Sequence, residues 1–112
     1  MDIKIEVENG FDVVMIGGRI DAVTSPELEG ALLDLMNKGT THIIIDLNDV
    51  TYLSSAGLRV ILMVTEMLYG KGNVIVSRPQ SDIREILEVT GFDTIMPICD
   101  ELEMAKQELL AQ

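Results

Sequence analysis

The chain has 112 residues, which fits a single domain spanning residues 1–112. Its net charge is −11 and its eight Lys and Arg residues are scattered, which argues against a nucleic-acid or membrane-surface partner. Apolar residues make up 47% of the chain and aromatic residues only 4%, so we expect an aliphatic core. A single cysteine, Cys99, excludes an internal disulfide. The sequence also shows no signal-peptide pattern and no apolar run long enough to span a membrane. Together with the single cysteine, these features predict a cytoplasmic protein.

The first predicted elements form a hairpin. Residues 3–7 alternate apolar and polar side chains, as a half-buried strand does. Asn9-Gly10 is a strong turn signal, and a second strand is predicted over residues 11–16. We therefore expect these two strands to pair antiparallel, with Gly17-Gly18 loosening the chain near the end of the second strand.

Helices and strands then alternate along the chain. Further strands are predicted at residues 42–47, 73–77 and 94–98, with Asn48-Asp49 as a turn after the first of these. Polar residues that can cap a helix predict helix starts at Ser25, at Ser81-Asp82 and at Asp100. Another helix is predicted over residues 56–69. The order ββαβαβαβα predicts an α/β domain, with a mixed, mostly parallel sheet packed with four helices.

Two serines stand at the start of the second helix, within "TYLSSAGLRVI". They follow the carboxyl end of a central strand, where open α/β sheets place their sites. One interpretation is structural, because serine is a preferred N-cap. The other is that Ser54 or Ser55 is phosphorylated, since a helix N-terminus tolerates the added charge and a docked partner would not. Gly57 is expected to let another group approach the backbone.

The second helix has two apolar sides. The side expected to face the sheet consists of Leu58, Ile61, Leu62, Thr65, Leu68 and Tyr69. The opposite side includes Arg59, Val60, Met63 and Met67, an unusually apolar set for a solvated face. We hypothesise that these four residues form a docking patch beside Ser55. The alternative is that a neighbouring helix covers them.

No residue pattern indicates catalysis. His42 has no spaced His, Cys or carboxylate partners, so a metal site is not expected. Cys99 is expected to be an inert thiol, and no phosphate-binding or dinucleotide-binding glycine motif is present. We expect no enzymatic activity and no cofactor.

Two segments, "GRIDAVTSPEL" and "DVTYLSSAGLRVIL", resemble the STAS domain family and, within it, the bacterial anti-sigma factor antagonists. The resemblance covers essentially the whole chain. It implies a regulator that acts by partner switching. An unphosphorylated antagonist binds an anti-sigma factor that is also a serine kinase, phosphorylation ends the binding, and a PP2C-type phosphatase restores it.

The resemblance also implies individual site residues. The family phosphoacceptor falls on Ser55, with Ser54 as a competing hydroxyl because it replaces the acidic neighbour of many relatives. The acidic residue near the kinase-binding surface falls on Asp21, and Thr24 and Ser25 follow in the same loop. We expect a monomer or a weak dimer.

Two other functional classes stay open at this point. One is a small phosphoryl-transfer enzyme with a serine intermediate, which would need a base near the serine. The other is a free-standing STAS scaffold or ligand-sensing module in another signalling assembly.

Overall fold

The structure is a computed structural model that describes residues 1–111. Five strands form one mixed sheet in the order β1-β2-β3-β4-β5. The strands are β1 (Asp2–Glu8), β2 (Phe11–Ile20), β3 (His42–Leu53), β4 (Asn73–Ser77) and β5 (Ile98–Cys99). The helices are α1 (Ser25–Asn37), α2 (Ser55–Leu68), α3 (Ser81–Val89) and α4 (Leu102–Leu110), with a short 3-10 turn at Phe92–Thr94. The predicted order ββαβαβαβα is confirmed.

The hairpin forms as predicted. β1 and β2 pair antiparallel, with Glu8 opposite Phe11. Gly10 has a φ of +95°, which a residue with a side chain rarely adopts, so the Asn9-Gly10 signal has a direct conformational cause. The other neighbouring strands pair parallel, because a helix or a helix with a turn separates them.

The sheet is apolar on both faces. On one face it packs against α1, α2 and α3, through residues such as Ile43, Ile45 and Leu28. On the other face α4 covers a smaller cluster that includes Ile44 and Leu109. Successive strand residues point to opposite faces, which is why the β-branched run in β3 supplies both clusters.

The two longest strands extend further than predicted. Asn48 and Asp49 are not a turn, because β3 continues through them to Leu53. β2 continues to Ile20 and pairs with this extension, with register irregularities near Gly17 and Gly18. The pairing occupies backbone groups that a turn would have left to solvent, and it carries both strands up to the start of α2.

The predicted caps of three helices are wrong. The N-cap positions of α1, α3 and α4 are Thr24, Gln80 and Glu101, and none makes a side-chain cap hydrogen bond. Asp100 instead accepts a hydrogen bond from Arg84 at 2.6 Å. The last strand is also shorter than predicted and covers Ile98–Cys99, because the 3-10 turn ends at Thr94 and residues 95–97 are irregular.

The predicted inward side of α2 is partly wrong. Tyr69 lies beyond the helix end and is 88% exposed, whereas Val60 is 5% exposed and belongs to the main core. α1 lies beside α2, so α2 must bury a second stripe in addition to the one facing the sheet.

Candidate functional site

Ser54 is the N-cap of α2. Its hydroxyl accepts a hydrogen bond from the backbone N–H of Gly57 at 3.3 Å, and its carbonyl accepts from the N–H of Leu58 at 3.0 Å. Its extended backbone, with φ −88° and ψ 171°, is typical of an N-cap. The prediction that one of the two serines caps the helix is therefore confirmed, and that serine is Ser54.

Ser55 is the first residue of α2, and it is exposed. The cap is already made by Ser54, so the Ser55 hydroxyl is not needed to begin the helix. Backbone N–H groups at a helix N-terminus attract negative charge, and the first turn of α2 contains no acidic residue that would compete for them. Ser55 thus presents its hydroxyl to solvent at a position that tolerates an added anion.

Gly57 holds α2 against the ends of two strands. A Cβ built on it would lie 2.6 Å from Cγ2 of Ile20 and 2.7 Å from Cδ1 of Leu53, both inside van der Waals contact. The residue is buried. The group that approaches its backbone is the chain's own core, and contact between Gly57 and a partner stays a prediction.

The loop between β2 and α1 is fastened by its own side chains. One carboxylate oxygen of Asp21 accepts hydrogen bonds from the backbone N–H groups of Val23 and Thr24, each at 3.0 Å. The Thr24 hydroxyl accepts from the N–H of Asp21 at 2.9 Å and donates to the carbonyl of Arg19 at 2.8 Å. Ser25 is buried and donates from its hydroxyl to the Asp21 carbonyl at 2.6 Å. Little of its surface is therefore open to a partner in this conformation.

The same contacts set the charge state of Asp21. The N–H of Thr24 lowers the pKa of the Asp21 carboxyl most, and the N–H of Val23, the Thr24 hydroxyl and the Arg19 guanidinium lower it further. Arg19 stacks on Tyr52, with its guanidinium carbon 4.2 Å from the ring centroid. Asp21 is thus a charged residue that shapes the loop.

The loop presents a residue that the sequence analysis missed. Val23 stands at its tip and is 86% exposed, while Asp21 and Thr24 direct their polar atoms back into the loop. The available signal was one valine inside a short polar loop, "DAVTSP". An exposed apolar side chain held by a fastened loop can anchor a partner with little ordering cost.

A groove runs between α1 and α2 next to Ser55. The predicted docking patch borders it, but Val60 lies beneath the surface and Met63 is half-buried. Arg59 is exposed and Met67 is 45% exposed. The groove is lined by Ala22, Ser25, Pro26, Glu29, Ala56, Arg59, Val60 and Met63. The covering helix that the sequence left as an alternative is therefore real for Val60, and the patch is reduced to Arg59, Met63 and Met67.

A second polar cluster lies where β3 and β4 run side by side. Arg78 has a left-handed backbone, with φ +53°, and donates from Nε and Nη2 to the two oxygens of Asp46, each at 2.9 Å. Ser77 donates to the same carboxylate at 2.8 Å. The buried Asp46 is fully engaged by these contacts.

Other chemistry-bearing residues are placed for structure. Within residues 1–111, no group of three or more His, Cys, Asp or Glu side chains could hold a metal ion. Burial raises the pKa of the Cys99 thiol, and the carboxylates of Glu108 and Asp100 raise it further, which makes the thiolate scarce. In the same described part of the chain, no helix is long and apolar enough to cross a membrane.

Comparisons with known proteins agree with this architecture. The STAS domain family model matches residues 2–105. BtrV of Bordetella bronchiseptica, named as a candidate anti-sigma factor antagonist, is 29% identical over 106 residues, which cover 94% of this chain and 91% of that protein. The anti-sigma-B factor antagonist of Staphylococcus aureus is 29% identical over 105 residues, which cover 93% of this chain and 97% of that protein.

A solved structure gives the same result. The crystal structure of an anti-sigma factor antagonist from Mycobacterium paratuberculosis superposes with a TM-score of 0.90 and 28% identity, covering 96% of this chain and 92% of that one. The family match extends over nearly the whole chain, and the five-stranded mixed sheet with four helices fits it. The chain belongs to the STAS domain family.

Proposed function

We propose that this protein is an anti-sigma factor antagonist, which binds an anti-sigma factor with serine kinase activity until Ser55 is phosphorylated. The names of its relatives support the general role. The observation that carries the switch is the division of labour between the two serines. The Ser54 hydroxyl makes the cap hydrogen bond, while Ser55 is exposed and its hydroxyl is not needed for the cap.

The proposed contact surface consists of Val23, Ser55, Arg59, Met63 and Met67. Val23 supplies an exposed apolar anchor, and Arg59 supplies a positive charge on a strongly acidic protein. The methionines can adapt to the shape of the partner. Asp21 and Thr24 belong to the site as the residues that hold the loop, through the hydrogen bonds already described.

The switch is local and electrostatic. A phosphate adds about −1.5 to −2 charges at neutral pH. At the first turn of α2 this charge is favourable, because it faces the positive end of the helix dipole. The fold therefore persists, whereas rebinding would require stripping water from the phosphate, which is costly unless a cation in the partner pairs with it.

Arg59 couples to the same event. It stands four residues after Ser55 on α2, and side chains at this spacing lie on one helix face. A phosphate on Ser55 can therefore pair with the Arg59 guanidinium. Phosphorylation then both adds a charge to the contact surface and withdraws the positive group that the partner would use. A PP2C-type phosphatase would reverse both effects.

The test combines phosphorylation with binding. The protein is incubated with ATP and a candidate anti-sigma kinase, the phosphate is located by peptide mass spectrometry, and binding is followed by calorimetry. Ser54→Ala and Ser55→Ala are compared with Ser81→Ala, a matched control because Ser81 is also an exposed serine that begins a helix. We expect one phosphate, lost only in Ser55→Ala, and weaker binding after phosphorylation.

Two outcomes would contradict parts of the proposal. Loss of the phosphate only in Ser54→Ala would keep the switch and move the acceptor by one residue. Neither binding nor phosphorylation with any candidate kinase would reject the antagonist role and favour a scaffold or ligand-sensing STAS module.

A further inference from the structure

The outer edge of the sheet is formed by β1. This strand is the first in the sheet order and lies at one edge, so β2 is its one neighbour among the described residues. Ile5 and Val7 are 38% and 78% exposed on it. An edge strand with exposed apolar side chains is a template for pairing with another strand.

The two faces of β1 differ in chemistry. Ile3 and Ile5 stand opposite Ile16 and Val14 of β2, which belong to the main core. Residues two apart share a face, so Val7 continues this apolar row. The other face of β1 carries charged residues, namely Asp2, Lys4, Glu6 and Glu8.

We propose that β1 pairs antiparallel with β1 of a second copy of this chain, with Ile5 opposite Ile5 of that copy. The two sheets would then form one continuous sheet across a two-fold axis. This inference is independent of the proposed function, because it rests on the sheet edge alone.

Charge favours this register over those centred on Lys4 or Glu6. With Ile5 on the axis, Lys4 of each copy faces Glu6 of the other, which gives two oppositely charged cross-strand pairs. A register centred on Lys4 would place two lysines opposite each other, and one centred on Glu6 would place two glutamates opposite each other. Apolar contacts agree with the same choice, since Ile3 then faces Val7 of the other copy.

The ends of the paired strands are also tolerable. Asp2 would face Glu8 of the other copy, which is a pair of like charges. Glu8 is already bonded to the ammonium group of Lys106 of its own chain, at 2.8 Å. This bond offsets the Glu8 charge, so the repulsion at the ends is reduced.

Charge reversal provides the test. Sedimentation equilibrium is measured over a wide range of protein concentrations at about 0.15 M salt. At this salt concentration the Debye length is about 8 Å, which screens the repulsion between the two acidic protomers. Wild type should reach a monomer–dimer equilibrium. Lys4→Glu or Glu6→Lys alone should weaken dimerisation about tenfold or more, since symmetry makes each change act on two cross-strand pairs.

Restoring the complementarity should restore the dimer. The double variant Lys4→Glu/Glu6→Lys should dimerise as wild type does, and an equimolar mixture of the two single variants should form a heterodimer. Lys71→Glu, which makes the same charge change in an exposed loop, is the matched control and should leave dimerisation unchanged. Circular dichroism verifies that each variant is folded.

Three results would contradict the proposed dimer or its register. A wild type that stays monomeric at millimolar concentration would overturn the proposal. So would a dimer that both single variants leave unchanged, since its interface would then lie elsewhere. A mixture of the single variants that associates no better than either alone would exclude the register centred on Ile5.

Discussion

The backbone N–H of Ser54 donates a hydrogen bond to the carbonyl of Ile20 at 2.9 Å. This bond joins the start of α2 to the end of β2, where the loop that carries Val23 begins. Because Gly57 has no side chain, the start of α2 can pack directly against the end of β2. Ser55 and the loop are therefore fixed relative to each other by the core, so a partner meets a preformed surface.

Gly57→Ala should destabilise the protein by about 1–3 kcal/mol, as overpacking of a buried site does. The new Cβ would meet Ile20 and Leu53, and both are buried. Urea denaturation measures the change. Gly30→Ala is the matched control, because Gly30 is also helical and a Cβ there meets nothing within 4 Å. It should stabilise the protein by about 0.5–1 kcal/mol, and equal effects of the two variants would contradict the packing argument.

Ser54→Ala and Ser55→Ala should differ in stability. Removing the Ser54 hydroxyl deletes the cap bond to Gly57, which should cost about 0.5–2 kcal/mol of folding free energy. Ser55→Ala should change it by less than about 0.5 kcal/mol, because the residue is exposed and does not cap. Denaturation curves recorded side by side decide this. A larger loss of stability in Ser55→Ala than in Ser54→Ala would show that Ser55, and not Ser54, caps the helix.

The sequence was sufficient for the order of elements, because the buried β-branched runs and the glycine stops are local signals. It did not reveal the extension of β2 and β3, since Asn48 and Asp49 look like a turn until their backbone groups find partners across the sheet. It left open whether Val60 is exposed or covered, because burial against α1 depends on how the helices are arranged. It could not divide the roles of Ser54 and Ser55, since either residue type can cap a helix.

Asp21 should contribute stability that depends on pH. Its folded pKa is lowered from the ordinary value of 3.8, mainly by the N–H of Thr24, so folding favours the charged form. The contribution is present above the unfolded pKa and is lost as the pH falls through the folded pKa. The difference in free energy of unfolding between wild type and Asp21→Asn should therefore become smaller below pH 4. A stability difference that stays constant from neutral pH down to pH 2 would contradict this role.

A phosphate on Ser55 should pair with Arg59. The second pKa of phosphoserine is ordinarily about 6, and a guanidinium one helical turn away should lower it. Phosphorus NMR titration of the phosphorylated protein measures this value, and Arg59→Ala should raise it toward the ordinary one. Arg84→Ala, which removes an arginine from α3, should leave the titration unchanged. An unaltered titration in Arg59→Ala would remove Arg59 from the switch.

Arg78→Ala should destabilise the protein more than Asp46→Ala does. Removal of Arg78 leaves the Asp46 carboxylate buried with Ser77 as its remaining side-chain partner, at a cost of about 2–4 kcal/mol at neutral pH. Removal of Asp46 leaves a guanidinium whose side chain is 34% exposed and can turn toward water. Denaturation at neutral pH measures the loss in both variants, and a loss in Arg78→Ala no larger than that in Asp46→Ala would show that the cost is not the buried charge.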